Sequence, residues 1–191
     1  MTFCVLAAGC SSGPEKAAPP PSPTPIARLN TAAIQLPRIE FCPLVPASAT
    51  KAALGGRPSA HAAYGNGDEE ALPGVGTDAV HEIGCSWTKG ATTARAWVFA
   101  RPISPVFALT VVASGRRTPG CRTVAGPAYG QPSATQVCQR PGGSQRVRHS
   151  GLFGQTWLSC ELESAEFLGA DLRSRADAWC VEIANALNTA R

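Results

Sequence analysis

Acidic residues are missing from the middle of this sequence. Between Glu82 and Glu161 there is not one Asp or Glu, while Lys89, Arg95, Arg101, Arg116, Arg117, Arg122, Arg140, Arg146 and Arg148 place nine positive charges in the same stretch. Charge is scarce overall, at 16% of 191 residues, and the net +4 is too small to imply nucleic acid by itself. Aromatics reach only 6%, so no run of rings interleaves with the basic residues as a single-strand platform needs. No apolar run approaches the ~20 residues that span a bilayer, which excludes a polytopic membrane protein. There is no Gly-X-Y period and no sustained heptad, which excludes collagen and coiled coil. No C-x-x-C pair occurs, so a structural metal site has no clustered ligands, and neither metal nor cofactor is expected. No G-x-S-x-G elbow is present, and Gly74-Val75-Gly76 lacks the strand-to-helix setting of a phosphate loop.

What is present in excess is cysteine, glycine and proline: 8, 19 and 17 residues. The chain opens Met1-Thr2-Phe3-Cys4-Val5-Leu6-Ala7-Ala8-Gly9-Cys10, then Ser11-Ser12-Gly13-Pro14. Apolar residues ending in Leu-Ala-Ala-Gly-Cys resemble a bacterial lipobox, in which the cysteine thiol takes lipid and the cysteine becomes the first mature residue. Small side chains before it let an extended segment enter a peptidase cleft. A full leader carries a basic stretch and about 7–15 apolar residues. Only nine residues precede Cys10 and none is basic, so the expectation is that the assigned start lies too far downstream or that the chain is trimmed. Residues 11–37 hold Pro14, Pro19, Pro20, Pro21, Pro23, Pro25 and Pro37, an extended disordered tether by composition. The organisation expected is thus a leader remnant at 1–10, a tether at 11–37 and one domain at 38–191. The expected location is the outer face of the cytoplasmic membrane, with acyl chains such as palmitate on Cys10; one chain binds only marginally, so more than one is needed.

Cys4 leaves with the leader. Six cysteines remain, Cys42, Cys85, Cys121, Cys138, Cys160 and Cys180, and an even count in an exported domain reads as three disulfides. Six cysteines allow 15 connectivities. Spacing does not choose strictly among them; locality favours pairing in chain order.

Residues 46–54 read as a short helix, with Pro46 in its first turn and Gly55 as its stop. Residues 55–81 read as a long loop with an acidic knot at Asp68-Glu69-Glu70. Ile83, Cys85 and Trp87 alternate with small polar residues, a strand with one buried face. Residues 94–101 form its hairpin partner. The run from Val106 to Ala113 is strand or helix; Ser104 as N-cap and Pro105 after it favour helix. Residues 135–139, 145–152 and 155–162 read as three more strands. Leu172, Ala176, Trp179, Cys180, Ile183 and Leu187 fall on one face of a closing helix that Asp171 can cap. The fold class is α+β: a two-layer sandwich of about five antiparallel strands with flanking helices, order α-β-β-α-β-β-β-α, stapled by disulfides.

Chemistry is sparse. His61 and His81 lie in or beside the loop. A Ser-His-acid set could be drawn from His149 with Ser150 or Ser159, without a geometric marker. Glu161 and Glu163, two apart on a strand, share a face. Trp87 and Trp179 read as core, while Trp97 and Trp157 could line a groove. The acid-free stretch would build a positive surface from Arg95, Arg101, Arg146 and Arg148, suited to anionic lipid, an acidic wall polymer or an acidic protein face.

Cys42-Pro43-Leu44-Val45 before an Ala-rich helix, then Gly84-Cys85-Ser86-Trp87, Gly126-Pro127-Ala128-Tyr129 and a cysteine on the closing helix resemble the small exported lipoproteins of actinomycetes that have no assigned function. Their Cys-x-Leu-Leu and Cys-x-Trp elements come in this order; Val45 stands in place of the second Leu. The chain also resembles, more loosely, the extracellular sensor domains of mycobacterial Ser/Thr kinases and the lipoproteins with a Mog1/PsbP-like fold. The resemblance covers residues 38–190. It implies a binding or scaffolding domain at the cell envelope with Cys42 bridged to Cys85, and it carries no catalytic residues. The function expected is therefore a lipid-anchored, non-enzymatic domain for an envelope ligand or protein. The alternatives are a wall-acting enzyme, with His149, Glu161 and Glu163 as the place to look, and a structural spacer.

Overall fold

A computed structural model describes residues 24–72 and 76–190. Cys4, the lipobox with Cys10 and residues 11–23 of the Pro-rich stretch lie outside the described residues. In chain order the elements are α1 (Ala47–Leu54), β1 (Ala60–Tyr64), β2 (Glu69–Leu72), β3 (Gly76–Ala79), β4 (Glu82–Lys89), β5 (Thr92–Phe99), α2 (Pro105–Gly115), β6 (Cys121–Val124), β7 (Ser133–Gln139), β8 (Gln145–Phe153), β9 (Thr156–Ser164) and α3 (Gly169–Asn188).

The fold is α+β, with a seven-stranded antiparallel sheet in the order β1-β4-β5-β9-β8-β7-β6 and a separate β2–β3 hairpin. The five strands expected are β4, β5, β7, β8 and β9; the two additional ones in this sheet are its edges. β1 reads Ala-His-Ala-Ala-Tyr, and its first four positions are exposed, so it has no apolar alternation to detect. It is a strand because β4 offers it a hydrogen-bonding edge. β6 has four residues, opened by Pro119-Gly120 and held by the Cys121–Cys138 bridge at directly opposed positions.

α1 and α3 cover one face of the sheet, the closed face, and α2 lies over part of the other against β7 and β8. The architecture is therefore not two layers throughout. α1 ends on Gly55 at φ +65°, a left-handed cap that suits glycine. α2 is a helix because the Ser104 hydroxyl accepts from the Phe107 N–H at 3.2 Å and Pro105 occupies the first turn. Asp171 does not cap α3. Leu168 holds that position, and Asp171 sits in the first turn, accepting from Arg175 Nε at 3.1 Å.

The main core lies between the closed face and α1 and α3. It contains Cys85, Trp87, Ala94, Ala96, Val98, Val147, Phe153, Leu158 and Leu162 from the sheet, and Leu172, Trp179, Ile183 and Leu187 from α3. Each Val, Leu, Ile or Phe among them contributes about 1.5–3 kcal/mol by burial. Ile26, Ile34 and Leu36 are buried in the same core, and Thr156 Oγ1 donates to the Leu36 carbonyl at 2.6 Å. The folded body thus takes in residues 26–36, which proline content had assigned to the tether. The bridges join Cys42 to Cys85, Cys121 to Cys138 and Cys160 to Cys180. The first ties the segment before α1 to β4, and the last ties α3 to the central strand.

The Gly126-Pro-Ala-Tyr129 segment inserts Tyr129 between β8 and α3. Its hydroxyl donates to the Cys180 carbonyl at 2.8 Å, and burial pushes its ionisation well above the usual range. Gly151 makes this possible: a Cβ there would fall onto the Tyr129 carbonyl oxygen.

Candidate functional site

The second face of the sheet, the open face, carries the polar side chains. Strand alternation places Trp157, Ser159, Glu161 and Glu163 of β9 on it, with Arg146, Arg148, Ser150 and Leu152 of β8 and Arg95, Trp97 and Phe99 of β5. Arg95 and Arg148 are the direct cross-strand neighbours of Glu161 on its two sides. Arg148 Nε donates to Glu161 Oε2 at 2.7 Å and Arg95 Nη1 to Oε1 at 3.1 Å; Arg146 Nε lies 3.6 Å from Oε2. Burial alone would push this carboxyl up. The guanidiniums of Arg148, Arg146 and Arg95 outweigh that and hold it below the usual carboxylate range. Glu163 pairs more loosely with Arg140 at 3.8 Å.

Beyond this cluster the face turns apolar. The Arg148 guanidinium lies 4.9 Å over the Trp97 ring, and Phe99 and Trp157 meet at 6.3 Å. α2 closes over these rings and leaves a cavity of about 180 Å³ lined by Trp97, Phe99, Val111, Val112 and Trp157 with the polar groups Glu82, Arg148, Gln136, Ser150 and Ser159. Gln136 Nε2 donates to the Gly115 carbonyl at 2.6 Å and fixes the end of α2 against the sheet. The Ser150 and Ser159 hydroxyls bond each other at 2.9 Å. Burial pushes the Glu82 carboxyl up, and Arg148 and a hydrogen bond from Tyr64 only partly offset it. Gly84 gives Tyr64 its place: a Cβ at 84 would stand 2.5 Å from the Tyr64 ring. The cavity thus offers aromatic walls, a cation and a carboxyl that holds its proton more tightly than usual. A second, wider groove of about 480 Å³ lies between β6, β7 and the start of α3, with Arg122 and Arg173 on its rim and no converging acid.

Of the four arginines expected to form one patch, Arg95, Arg146 and Arg148 come together and Arg101 does not; it is exposed beyond β5. The gathered three are not a bare basic surface. The acid-free stretch ends at Glu161, and because β9 pairs with both β5 and β8, that acid lands in the middle of the arginines.

His149 lies on the closed face, opposite Cys160, so it does not converge with Glu161 and Glu163. Its Nδ1 meets Thr135 Oγ1 at 3.0 Å and its Nε2 meets Asp177 Oδ1 at 2.8 Å. The order hydroxyl, imidazole, carboxylate has the spacing of a nucleophilic relay. However, His149 is 1% exposed beneath α3, so no substrate reaches it, and the set pins α3 to the sheet. Ser150 and Ser159 are on the other face. His61 stacks on Trp87 at 5.0 Å. Among the described residues no group of His, Cys, Asp or Glu could hold a metal. Sequence reasoning missed Glu82 and Gln136 as residues of the cavity beside Trp97, and Tyr64 as a hydrogen-bond partner of Glu82. Glu82 was visible only as one boundary of the acid-free stretch.

No family model matches this chain and no curated protein matches it, so the resemblance to actinomycete lipoproteins gains no support there. Among solved structures the chain is similar to the extracellular domain of PknH from Mycobacterium tuberculosis, with a TM-score of 0.50 and 14% identity over 80% of this chain and 99% of that one. At that identity the likeness is one of fold.

Proposed function

We propose that this chain is an exported binding domain of sensor type, held at the outer face of the cytoplasmic membrane by lipid on Cys10, with its ligand site on the open face beneath α2. Export is supported by three disulfides in a small domain and by the fold shared with an extracellular domain. The anchor rests on the Leu-Ala-Ala-Gly-Cys sequence. The observation that carries the site is the cavity where Arg148 and the raised Glu82 carboxyl converge beside Trp97 and Trp157. At about 180 Å³ it holds roughly six waters at ~30 Å³ each, enough for a small molecule or the end group of a larger one. The rings suit an apolar body, Arg148 an acceptor or anion, and Glu82 a donor.

The test uses full-length protein made without lipid, screened by thermal shift against free amino acids, short wall-derived peptides and short-chain carboxylates. A binder should raise Tm, and Ala134→Trp, which fills the cavity from β7, should abolish the rise. An effect that survives Ala134→Trp, or a panel with no effect, counts against the site. Intact mass of the native protein tests the anchor: unmodified Cys10 in full-length, membrane-free protein removes it.

A further inference from the structure

α2 does not have the composition of a surface helix. Its sequence, Pro-Val-Phe-Ala-Leu-Thr-Val-Val-Ala-Ser-Gly, contains no charged residue. A helix lying on a sheet normally buries one apolar stripe and shows water a polar one. Here Ala108 and Val112 point inward and are buried, while Val106, Phe107 and Leu109 point outward at 75%, 51% and 58% exposure. Among the described residues these are three of the six exposed large apolar ones, so half of that exposed set sits on one short helix. Its ends are basic. Arg101 precedes it and Arg116-Arg117 follow it; all three are exposed, and none forms an ion pair among the described residues. No acid lies in sequence between Glu82 and Glu161 to neutralise them, and Glu82 itself faces the cavity under the helix. At ~1.5 Å per residue the helix is about 16 Å long, too short to cross a bilayer and long enough to lie on one.

We propose that the outer surface of α2 docks this domain onto an anionic phospholipid membrane. Val106, Phe107 and Leu109 enter the boundary between headgroups and acyl chains, and Arg101, Arg116 and Arg117 engage headgroup phosphates at the two ends of the helix. The charge pattern chooses this occupant. A second copy would bring the same three cations against themselves, and an apolar protein partner would have no use for them. The proposal does not depend on the Cys10 anchor or on a ligand in the cavity.

The experiment is vesicle cosedimentation of full-length protein with Cys10→Ser, using phosphatidylcholine vesicles with and without phosphatidylglycerol. The protein should partition onto the phosphatidylglycerol vesicles, and added salt should weaken the partitioning. Phe107→Ser with Leu109→Ser should abolish it. Arg101→Gln, Arg116→Gln and Arg117→Gln together should reduce it on the order of 100-fold, from about 1 kcal/mol per arginine. Because these side chains are exposed, the urea midpoints of the variants should match the parent, which separates loss of docking from loss of fold. Equal binding to neutral and anionic vesicles, no binding to either, or binding unchanged in the Phe107/Leu109 variant would overturn the proposal. So would a concentration-dependent dimer that occupies this face and excludes vesicles.

Discussion

Replacing Glu161 by Gln removes one charge from the place on the open face where three arginines converge. The carboxylate side chain is 2% exposed, and those of Arg146 and Arg148 are 10% and 25% exposed. Gln keeps the shape and one acceptor but leaves two part-buried guanidiniums without their counter-ion. Arg95 is 48% exposed, so water screens its pair and its share is at most ~1 kcal/mol. The 2.7 Å bond from Arg148 is charge-assisted and contributes about 1.5–3 kcal/mol. Breaking a fully buried pair costs roughly 3–5 kcal/mol, and the partial exposure of the arginines puts this case near 3 kcal/mol. Urea unfolding of the oxidised protein at pH 7 measures it, as a lower midpoint at unchanged slope. The dependence on pH has a definite sign. The folded carboxyl ionises below its unfolded value, so its stabilisation is fully present above the usual carboxylate range and is lost as pH falls through the folded value. Wild type and Glu161→Gln should therefore converge in acid. A variant within about 0.5 kcal/mol of wild type at pH 7, or a gap that does not narrow on acidification, would refute this account of the cluster.

Gly151→Ala should cost on the order of 4 kcal/mol or prevent folding, because its Cβ has no space beside the Tyr129 carbonyl, whereas Gly126→Ala, which meets only Thr135 at 3.5 Å, should stay close to wild type; soluble yield and Tm compare the two. Removing the edge bridge with Cys121→Ala and Cys138→Ala should cost about 3 kcal/mol, as expected for a 17-residue separation, and a urea midpoint equal to that of the bridged protein would contradict it.

The elements legible in the sequence were those whose residues repeat at the period of their structure. β4 and β9 alternate in sequence, and α3 places Leu172, Ala176, Trp179, Ile183 and Leu187 on one stripe, so each announces its apolar face, although β9 is buried on both. β1 does not, since an edge strand with exposed side chains is made by its neighbour's hydrogen bonds and not by its own pattern. The loop expected at 55–81 carried too many glycines and acids to show β1, β2 or β3. The buried Ile26, Ile34 and Leu36 were hidden among prolines, because composition averages over residues that pack individually. The site followed the same division. Alternation alone puts Arg146, Arg148 and Glu161 on one face and His149 on the other once register is known, but register is a tertiary fact, and without it His149 and Glu161 could be drawn into a single pocket.

The acid-free stretch has two different meanings in space. Across the centre of the sheet it is an artefact of chain order: β9 arrives last, inserts between β5 and β8, and supplies the acid that their arginines lack. Glu161 can hold three guanidiniums only because it is central, and the arginines tolerate that burial only because it is charged. This central set is therefore structural, and it positions Arg148 at the cavity over Trp97. At the two ends of α2 the basic residues stay unpaired after folding among the described residues, and Glu82 lies under the helix, in the cavity, and not on its outer side. No later strand brings a carboxylate to Arg101, Arg116 or Arg117 among the described residues, and the helix between them presents apolar side chains to the outside. A surplus of charge that the fold does not neutralise, beside apolar surface that the fold does not bury, is where an external partner contributes most. On this molecule both conditions are met together at α2.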